Sequence, residues 1–182
     1  MKTINAYLFS ELNEKAQAIA LDNFEGDCLW NHKDSIDQMK EDLTAIGPGD
    51  IDIRYSGFWS QGDGLSFTAQ VDDMPLFCKH IGVPCMQEVE VTFYRTTSHH
   101  CHENTCTTII EAGIPESHEH EKQLHELEQA IEIWRKKECQ RLYSQLERDY
   151  ECSTGPHAVA EYFEANEFYF LEDGQRVRAK GL

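Results

Sequence analysis

The first quarter of the chain has apolar residues at the three- and four-residue spacing of helices. Leu12 and Ala16 follow Ser10, whose side chain suits a helix N-cap. This pattern predicts a helix from about Glu11 to Cys28 and a second from about Lys33 to Ile46. The buried face of the second helix comprises Ile36, Met39, Leu43 and Ile46.

The pattern changes to strict alternation after the break at Gly47-Pro48-Gly49. Alternating apolar residues predict four half-buried strands. They lie near residues 51–55, 65–71, 89–93 and 107–111. Because the connections between them are short, the strands are expected to form an antiparallel sheet.

A long helix is predicted to start after Ser117 and to reach about Arg148. Its apolar stripe comprises Leu124, Leu127, Ile131, Trp134, Leu142 and Leu146. A short helix is predicted from His157 to Ala165, and Asp173-Gly174 marks a terminal hairpin.

Together these elements predict an α+β fold. An antiparallel sheet of about four strands packs against two N-terminal helices and one long C-terminal helix, and the chain ends in a small hairpin. The length of 182 residues and the lack of a linker predict a single α+β domain over residues 1–182.

The charge is strongly negative, with 33 Asp and Glu against 16 Lys and Arg. Direct nucleic-acid binding and attachment to an anionic membrane are therefore disfavoured, since both need clustered cations. A partner with a basic surface is favoured instead. Asp34, Asp37 and Glu41 line one exposed side of the second predicted helix and are candidate binding residues that imitate phosphates. A solvated surface that keeps the protein soluble is the alternative.

Cysteine usage indicates a reducing compartment. The seven cysteines are an odd number without the spacing of a disulfide scaffold. The segment after Met1-Lys2 has no apolar signal core, and no stretch has the ~20 apolar residues of a membrane span. Reduced thiols in a cytosol are expected.

The most distinctive segment runs from Tyr55 to Phe67 and contains three glycines. Glycine allows positive φ and close approach of the backbone. Trp59, Gln61 and Asp63 fall at the predicted tip, where they are candidate binding residues. Trp59, or Trp134 on the long helix, could anchor a partner. The alternative is a twisted hairpin in which Asp63 caps its own turn.

A second candidate site surrounds the histidines before the fourth strand. His99, Cys101, His102 and Cys106 supply the nitrogen and sulfur ligands that a structural zinc uses. Exposed histidines beside incidental thiols are the alternative, because no CxxC pair is present, and no other cofactor is indicated. Motifs of nucleophile elbows, P-loops and dinucleotide sites are absent, which disfavours an enzyme. If the protein is a hydrolase, Asp63 and His102 are the candidate catalytic residues.

Three segments resemble a family of small bacteriophage and prophage proteins, some of them described as antitoxin-like. They are the helix around Leu8–Ala16, the Ser-Gly-Phe-Trp-Ser-Gln-Gly-Asp-Gly motif at Ser56–Gly64, and His102–Thr105, with a similar ending at Phe170–Gly174. The resemblance implies a phage accessory protein in the cytoplasm of a bacterial host.

The charge, the missing catalytic motifs and this resemblance together predict a non-enzymatic protein that binds and inhibits a host protein. A defence complex with a basic nucleic-acid-binding surface is a fitting target. Two alternatives remain open. One is a small-ligand-binding protein or hydrolase that uses the Trp59–Asp63 loop, and the other is an antitoxin-like protein acting as a homodimer through the helix at 117–148.

Overall fold

A computed structural model of the protein describes residues 5–86, 88–96, 98–113 and 117–177. In chain order the helices and strands are β1 (Tyr7–Leu8), α1 (Glu14–Asp22), α2 (His32–Thr44), β2 (Pro48–Tyr55), β3 (Leu65–Val71), α3 (Met74–Ile81), β4 (Val89–Arg95), β5 (Cys106–Ala112), α4 (His118–Thr154), α5 (Pro156–Ala165) and β6 (Tyr169–Phe170). Strands β2, β3, β4 and β5 form an antiparallel sheet in that order, and β1 pairs with β6.

The α+β class, the four-stranded antiparallel sheet, the long C-terminal helix and the terminal hairpin are confirmed. The backbone contacts group into two compact units. Unit 1 comprises residues 1–32 and 148–182, and unit 2 comprises residues 33–147. The single domain over residues 1–182 stays a prediction. No helix in the described ranges is long and apolar enough to cross a membrane.

The sheet of unit 2 has one buried face, as strand alternation requires. Phe67 pairs with Ile53 on one side, and Ala69 pairs with Phe93 on the other. These side chains are buried. The opposite face carries mainly polar residues and is partly exposed, with Tyr94 and Ile109 as its exposed apolar side chains.

An aromatic cluster fills the core of unit 2. The ring of Trp134 on α4 lies 4.8 Å from that of Phe77, 5.5 Å from that of Phe93 and 6.1 Å from that of Phe67. The suggestion that Trp134 anchors a partner is therefore corrected, because its ring packs against these core side chains instead.

Helix α3 was not predicted from the sequence. Asp73 caps it by accepting a hydrogen bond from the backbone N–H of Leu76 (2.9 Å), Pro75 occupies its first turn, and Gly82 ends it in the left-handed conformation. Phe77 and Cys78 are its buried residues.

The turn before β2 is joined to the corner between β3 and α3. The carbonyl oxygen of Gly47 accepts hydrogen bonds from the backbone N–H groups of Asp72 (3.0 Å) and Asp73 (3.1 Å). Gly47 has a φ of +118°, and a side chain there would meet the carbonyl oxygen of Asp73 at 2.7 Å. The position therefore requires glycine.

Helix α1 is shorter than the predicted Glu11–Cys28. Asn13, not Ser10, is its N-cap, because the Asn13 side chain accepts from the backbone N–H of Ala16 (3.0 Å). Short 3-10 helices flank α1 at Phe9–Glu11 and Gly26–Leu29. The buried residues of α1 belong to the core of unit 1.

That core is largely aromatic. The Phe163 ring of α5 lies 5.4 Å from Phe9 and 5.0 Å from both Phe24 and Phe170. The buried members of the cluster are Phe9, Leu12, Ala16, Ala20, Val159, Phe163 and Phe170. Strand β6 continues into the predicted hairpin, which closes when the N–H of Val177 donates to the carbonyl of Tyr169 at 2.8 Å.

Helix α4 contains 37 residues and extends past the predicted end near Arg148 to Thr154. The prediction that Ser117 caps it is confirmed, since the Ser117 hydroxyl accepts from the N–H of His120 (3.2 Å). Leu127 and Ile131 of its apolar stripe are fully buried in unit 2. That stripe is therefore occupied within the chain, whereas Ile133 on another side is exposed. A homodimer through α4 stays a prediction.

Candidate binding site

Two loops lie side by side at one end of the sheet in unit 2. The motif loop (residues 56–64) joins β2 to β3, and the histidine loop (residues 98–105) leads into β5. In an antiparallel sheet, alternate connections fall at the same end. Ser56 ties the loops together, because its hydroxyl accepts from the N–H of Cys101 (3.2 Å) and donates to the Cys101 carbonyl (3.4 Å). The structure thus joins two candidate regions that the sequence presents separately.

Gly64 allows the two loops to touch. A Cβ atom at this position would lie 2.6 Å from the carbonyl oxygen of Cys101 and 2.7 Å from the Cβ of His102. Both distances are shorter than van der Waals contact. The motif loop also closes on itself, as the N–H of Ser56 donates to the carbonyl of Gly64 (3.2 Å). The close approach of the two loops therefore requires glycine at position 64.

The tip of the motif loop is a tight turn fixed by Asp63. Its carboxylate accepts from the N–H of Ser60 (2.8 Å), and its own N–H donates to the Ser60 carbonyl (3.1 Å). The interpretation that Asp63 caps its own turn is confirmed. Gln61 is exposed at the tip, as expected for a contact residue.

Trp59 is held in an unusual conformation at this tip. Its φ is +66°, a region that bulky residues avoid, and its side chain is 65% exposed. A conformation of this kind costs about 1–3 kcal/mol and persists where the surrounding structure enforces it. The neighbouring Phe58 ring lies 5.6 Å from the Trp59 ring and also packs 5.7 Å from Tyr55 and 5.8 Å from Tyr143.

Helix α4 supports both loops from one side. Arg135, Cys139 and Tyr143 recur every four residues and so lie along one side of the helix. The Tyr143 hydroxyl donates to the carbonyl of Gly57 (3.2 Å) in the motif loop. The Arg135 guanidinium donates to the carbonyl of Glu103 in the histidine loop, and it is held by the Glu132 carboxylate (3.0 Å).

The surroundings of the motif loop are negatively charged. Burial raises the pKa of Tyr143, and the carboxylates of Glu147 and Asp63 raise it further, while the backbone amide of Trp59 lowers it. The negative charges of Glu147 and Asp63 therefore lie close to Tyr143, the residue that supports the loop of Trp59. Asp34, Asp37 and Glu41 are exposed on α2, as predicted.

The candidate zinc ligands have mixed surroundings. His99 is exposed, Cys101 and Cys106 are buried, and Nδ1 of His102 accepts from the N–H of Asn104 (3.1 Å). Within the described part of the chain, no three His, Cys, Asp or Glu side chains group as metal ligands would. A zinc ion at this loop stays a prediction, as do catalytic roles for Asp63 and His102, whose hydrogen bonds here shape their own turns.

Sequence reasoning missed Arg135, Cys139 and Tyr143 as parts of the site. A signal was present in the apolar stripe of α4, which has a gap between Trp134 and Leu142. Arg135 and Cys139 fall in that gap and are buried. A buried arginine on a helix face indicates a polar partner on a neighbouring element.

Residues 32–83 match a family model described as "Domain of unknown function (DUF8835)". The matched segment starts at the first residue of α2 and ends just after Gly82 caps α3. It covers less than a third of the chain but contains the whole motif loop. No curated protein and no solved structure matches the chain. The motif loop thus lies in the part of the chain that is similar to this family.

Proposed function

We propose that this protein is a non-enzymatic binding protein that occupies a basic surface of a partner protein and so inhibits it. Trp59 is the anchor. The observation that carries the proposal is the display of this exposed tryptophan, at positive φ, on a loop held by hydrogen bonds from α4 and the histidine loop.

The position of Trp59 is unfavourable for the protein on its own. The Trp59 side chain is 65% exposed and so gains less from burial in the monomer than a core aromatic would, and its backbone conformation is unfavourable. Tryptophan is also the residue type most enriched among interface positions that dominate binding energy. A rigid support reduces the ordering cost of binding, and the Tyr143–Gly57 hydrogen bond provides that support.

The negative charge of the chain favours a partner with a basic surface. Asp63 and Glu147 act near the motif loop, and the chain carries a formal charge of −17. A basic surface would be attracted at long range and then held by Trp59. Asp34, Asp37 and Glu41 would extend the negative contact area on α2. A protein that binds nucleic acid has the basic surface that fits best.

The resemblance of Ser56–Gly64 to phage and prophage proteins favours a bacterial host protein as the target. In this proposal the phage protein acts in the host cytoplasm and blocks the nucleic-acid-binding surface of a defence complex. No cofactor is required for such a mechanism, because blocking needs only surface complementarity.

Capture from a bacterial lysate tests the proposal when three forms of the protein are compared. Wild type and Tyr94→Ala should capture the same host protein, whereas Trp59→Ala should lose it. Tyr94 is the matched control, since it is an aromatic residue 47% exposed on the open face of the sheet. Binding should also weaken steeply as salt rises. Equal capture by Trp59→Ala and wild type would overturn the proposal.

A further inference from the structure

Unit 1 contains a cavity of about 890 Å³ between the segment that follows α1 and the terminal hairpin. It is lined by Asn23, Phe24, Glu25 and Cys28 from that segment and by Gln175 and Arg176 from the hairpin. Small-molecule sites have volumes of roughly 300–1,000 Å³, so the cavity is large enough for a small ligand. None of these six residues belongs to the motif loop or the histidine loop.

The hairpin wall of the cavity is fixed against α1. Gly174 at the turn has a φ of +86°, and a Cβ atom there would lie 2.2 Å from the carbonyl oxygen of Ala16. The N–H of Gly174 donates to the carbonyl of Leu171 (2.9 Å), and the N–H of Leu171 donates to the carbonyl of Gln175 (2.8 Å). Gln175 and Arg176 are therefore held on a turn that packs tightly on the helix.

The aromatic core of unit 1 supports both walls of the cavity. The rings of Phe24 and Phe168 lie 5.0 Å and 5.7 Å from the ring of Phe163. The guanidinium of Arg176 lies over the Phe168 ring, 3.5 Å from its centroid. Stacking of this kind uses one face of the guanidinium and leaves the N–H groups along its edge for a ligand. The cavity thus has a positioned cation and an aromatic wall.

Glu25 and Arg176 bring opposite charges to the cavity without pairing with each other. Among the described residues, no ion pair contains either side chain. Asn23 is the C-cap of α1, and the partial negative charge of a helix C-terminus adds to that of the nearby Glu25 carboxylate. One wall therefore favours a cation and the other an anion.

This arrangement discriminates between classes of ligand. Glu25 and the formal charge of −17 on the chain disfavour a purely anionic ligand, and Arg176 disfavours a purely cationic one. A molecule with both an amino group and a carboxylate satisfies the two walls at once. The side-chain amides of Asn23 and Gln175 offer further donors and acceptors.

We infer that this cavity binds a small zwitterion, with its carboxylate on Arg176, its ammonium group on Glu25 and its apolar part against Phe24. Free amino acids and short peptides share this chemistry. The inference goes beyond the proposed binding function and does not depend on it.

The test is titration of the isotope-labelled full-length protein, followed by NMR, with L-phenylalanine and with the dipeptide phenylalanyl-alanine. At millimolar concentration, at least one of them should shift the backbone amide signals of Phe24, Gln175 and Arg176. The tighter ligand identifies the source as a free amino acid or a peptide. N-acetylphenylalanine lacks the cation and phenylalanine amide lacks the anion, so each should bind about tenfold or more weakly than phenylalanine.

Two variants assign the charges of the ligand to the two walls. Arg176→Gln should weaken phenylalanine binding by about tenfold or more and should no longer distinguish phenylalanine from its amide. Glu25→Gln should weaken binding similarly and should no longer distinguish phenylalanine from its N-acetyl form. Arg148→Gln and Glu172→Gln are matched controls, because both residues are exposed and neither lines the cavity. Both controls should bind as the wild type does.

The wild-type titrations alone can overturn the inference, even if a variant does not fold. Absence of shifts at the cavity with both probes would do so, as would binding of the two blocked analogues as tightly as phenylalanine. Shifts confined to the motif loop would also overturn it, because they would place the ligand near Trp59 instead.

Discussion

The hydroxyl of Tyr143 donates a hydrogen bond to the carbonyl oxygen of Gly57 across 3.2 Å and thereby joins the long helix to the base of the motif loop. The two residues are 86 positions apart in the chain. The bond fixes the backbone just before Trp59, so the conformation of the exposed indole depends on a helix that contributes no residue to the loop itself.

The first prediction concerns loss of the Tyr143 hydroxyl. Tyr143→Phe keeps the ring that packs on Phe58 but leaves the Gly57 carbonyl without its donor. The free energy of unfolding should fall by about 1 kcal/mol, as measured by urea denaturation. Tyr94→Phe, at an exposed tyrosine on β4, is the control and should change stability by less than about 0.5 kcal/mol. An equal loss in the two variants would contradict the assigned role of Tyr143.

Contact between the two loops is tested by Gly64→Ala. The added methyl group would overlap with the carbonyl of Cys101 and with the side chain of His102, so we expect a loss of about 1–3 kcal/mol in urea denaturation. Gly113→Ala is the matched control, because its Cβ would meet a single side-chain oxygen, of Glu88, at an ordinary 3.7 Å. A tolerated Gly64→Ala would show that the loops are not held together in solution.

The buried thiols predict an unusual dependence of stability on pH under reducing conditions. A hydrogen bond with Cys139 lowers the pKa of Cys106 from 9.0 to about 7 in the folded state, although burial opposes this. Between these values the unfolded chain binds more protons at this thiol, so the free energy of unfolding should rise with pH, by at most about 1.4 kcal/mol per pH unit. Above pH 9.0 the trend should reverse, because Cys78 and Cys139 have raised pKa values and keep protons that the unfolded chain loses.

Urea denaturation across this pH range checks the prediction in two variants. Cys106→Ser should abolish the rise, since it removes the thiol with the lowered pKa. Cys85→Ser should retain it, because Cys85 is exposed and is not one of the groups that shift the pKa of Cys106. If the rise persists unchanged in Cys106→Ser, another group is responsible.

The open face of the sheet contains an unfavourable pair. Glu90 on β4 lies directly opposite Glu111 on β5, and both side chains are exposed. Like charges in this position are destabilising. Glu111→Lys should therefore raise the free energy of unfolding by about 0.2–1 kcal/mol at low salt. The gain should shrink in about 1 M salt, where the Debye length is about 3 Å, and a gain independent of salt would exclude a charge effect.

The sequence predicted those elements whose apolar period is long and regular. Helix α2, the four strands and α4 all bury one face, so their patterns match their structure. Helix α3 was missed because its eight residues are largely apolar, and so short a run does not distinguish a helix from a strand. The predicted first helix was too long because Asn13 caps the true start and Asn23 its end.

The candidate site could be predicted only in pieces. The glycines around Trp59 and the histidines near Cys101 stand out in the sequence, but their contact depends on the order of the strands. Tyr143 could not be selected from a 37-residue helix without knowing which side of it faces the loops. The hydrogen bond from its hydroxyl to the Gly57 carbonyl is a tertiary contact that no local pattern encodes.

The carbonyl of Gly47, which accepts from both Asp72 and Asp73, also bears on how the hairpin of β2 and β3 finds its alignment. A slip of one residue between these strands would turn every buried side chain outward, and a slip of two would preserve the faces while displacing the pairing. Either error would move Asp72 and Asp73 away from Gly47 and leave backbone groups unpaired. The two hydrogen bonds to Gly47 thus favour the native strand alignment. They act at the end of the hairpin opposite to the end that displays Trp59.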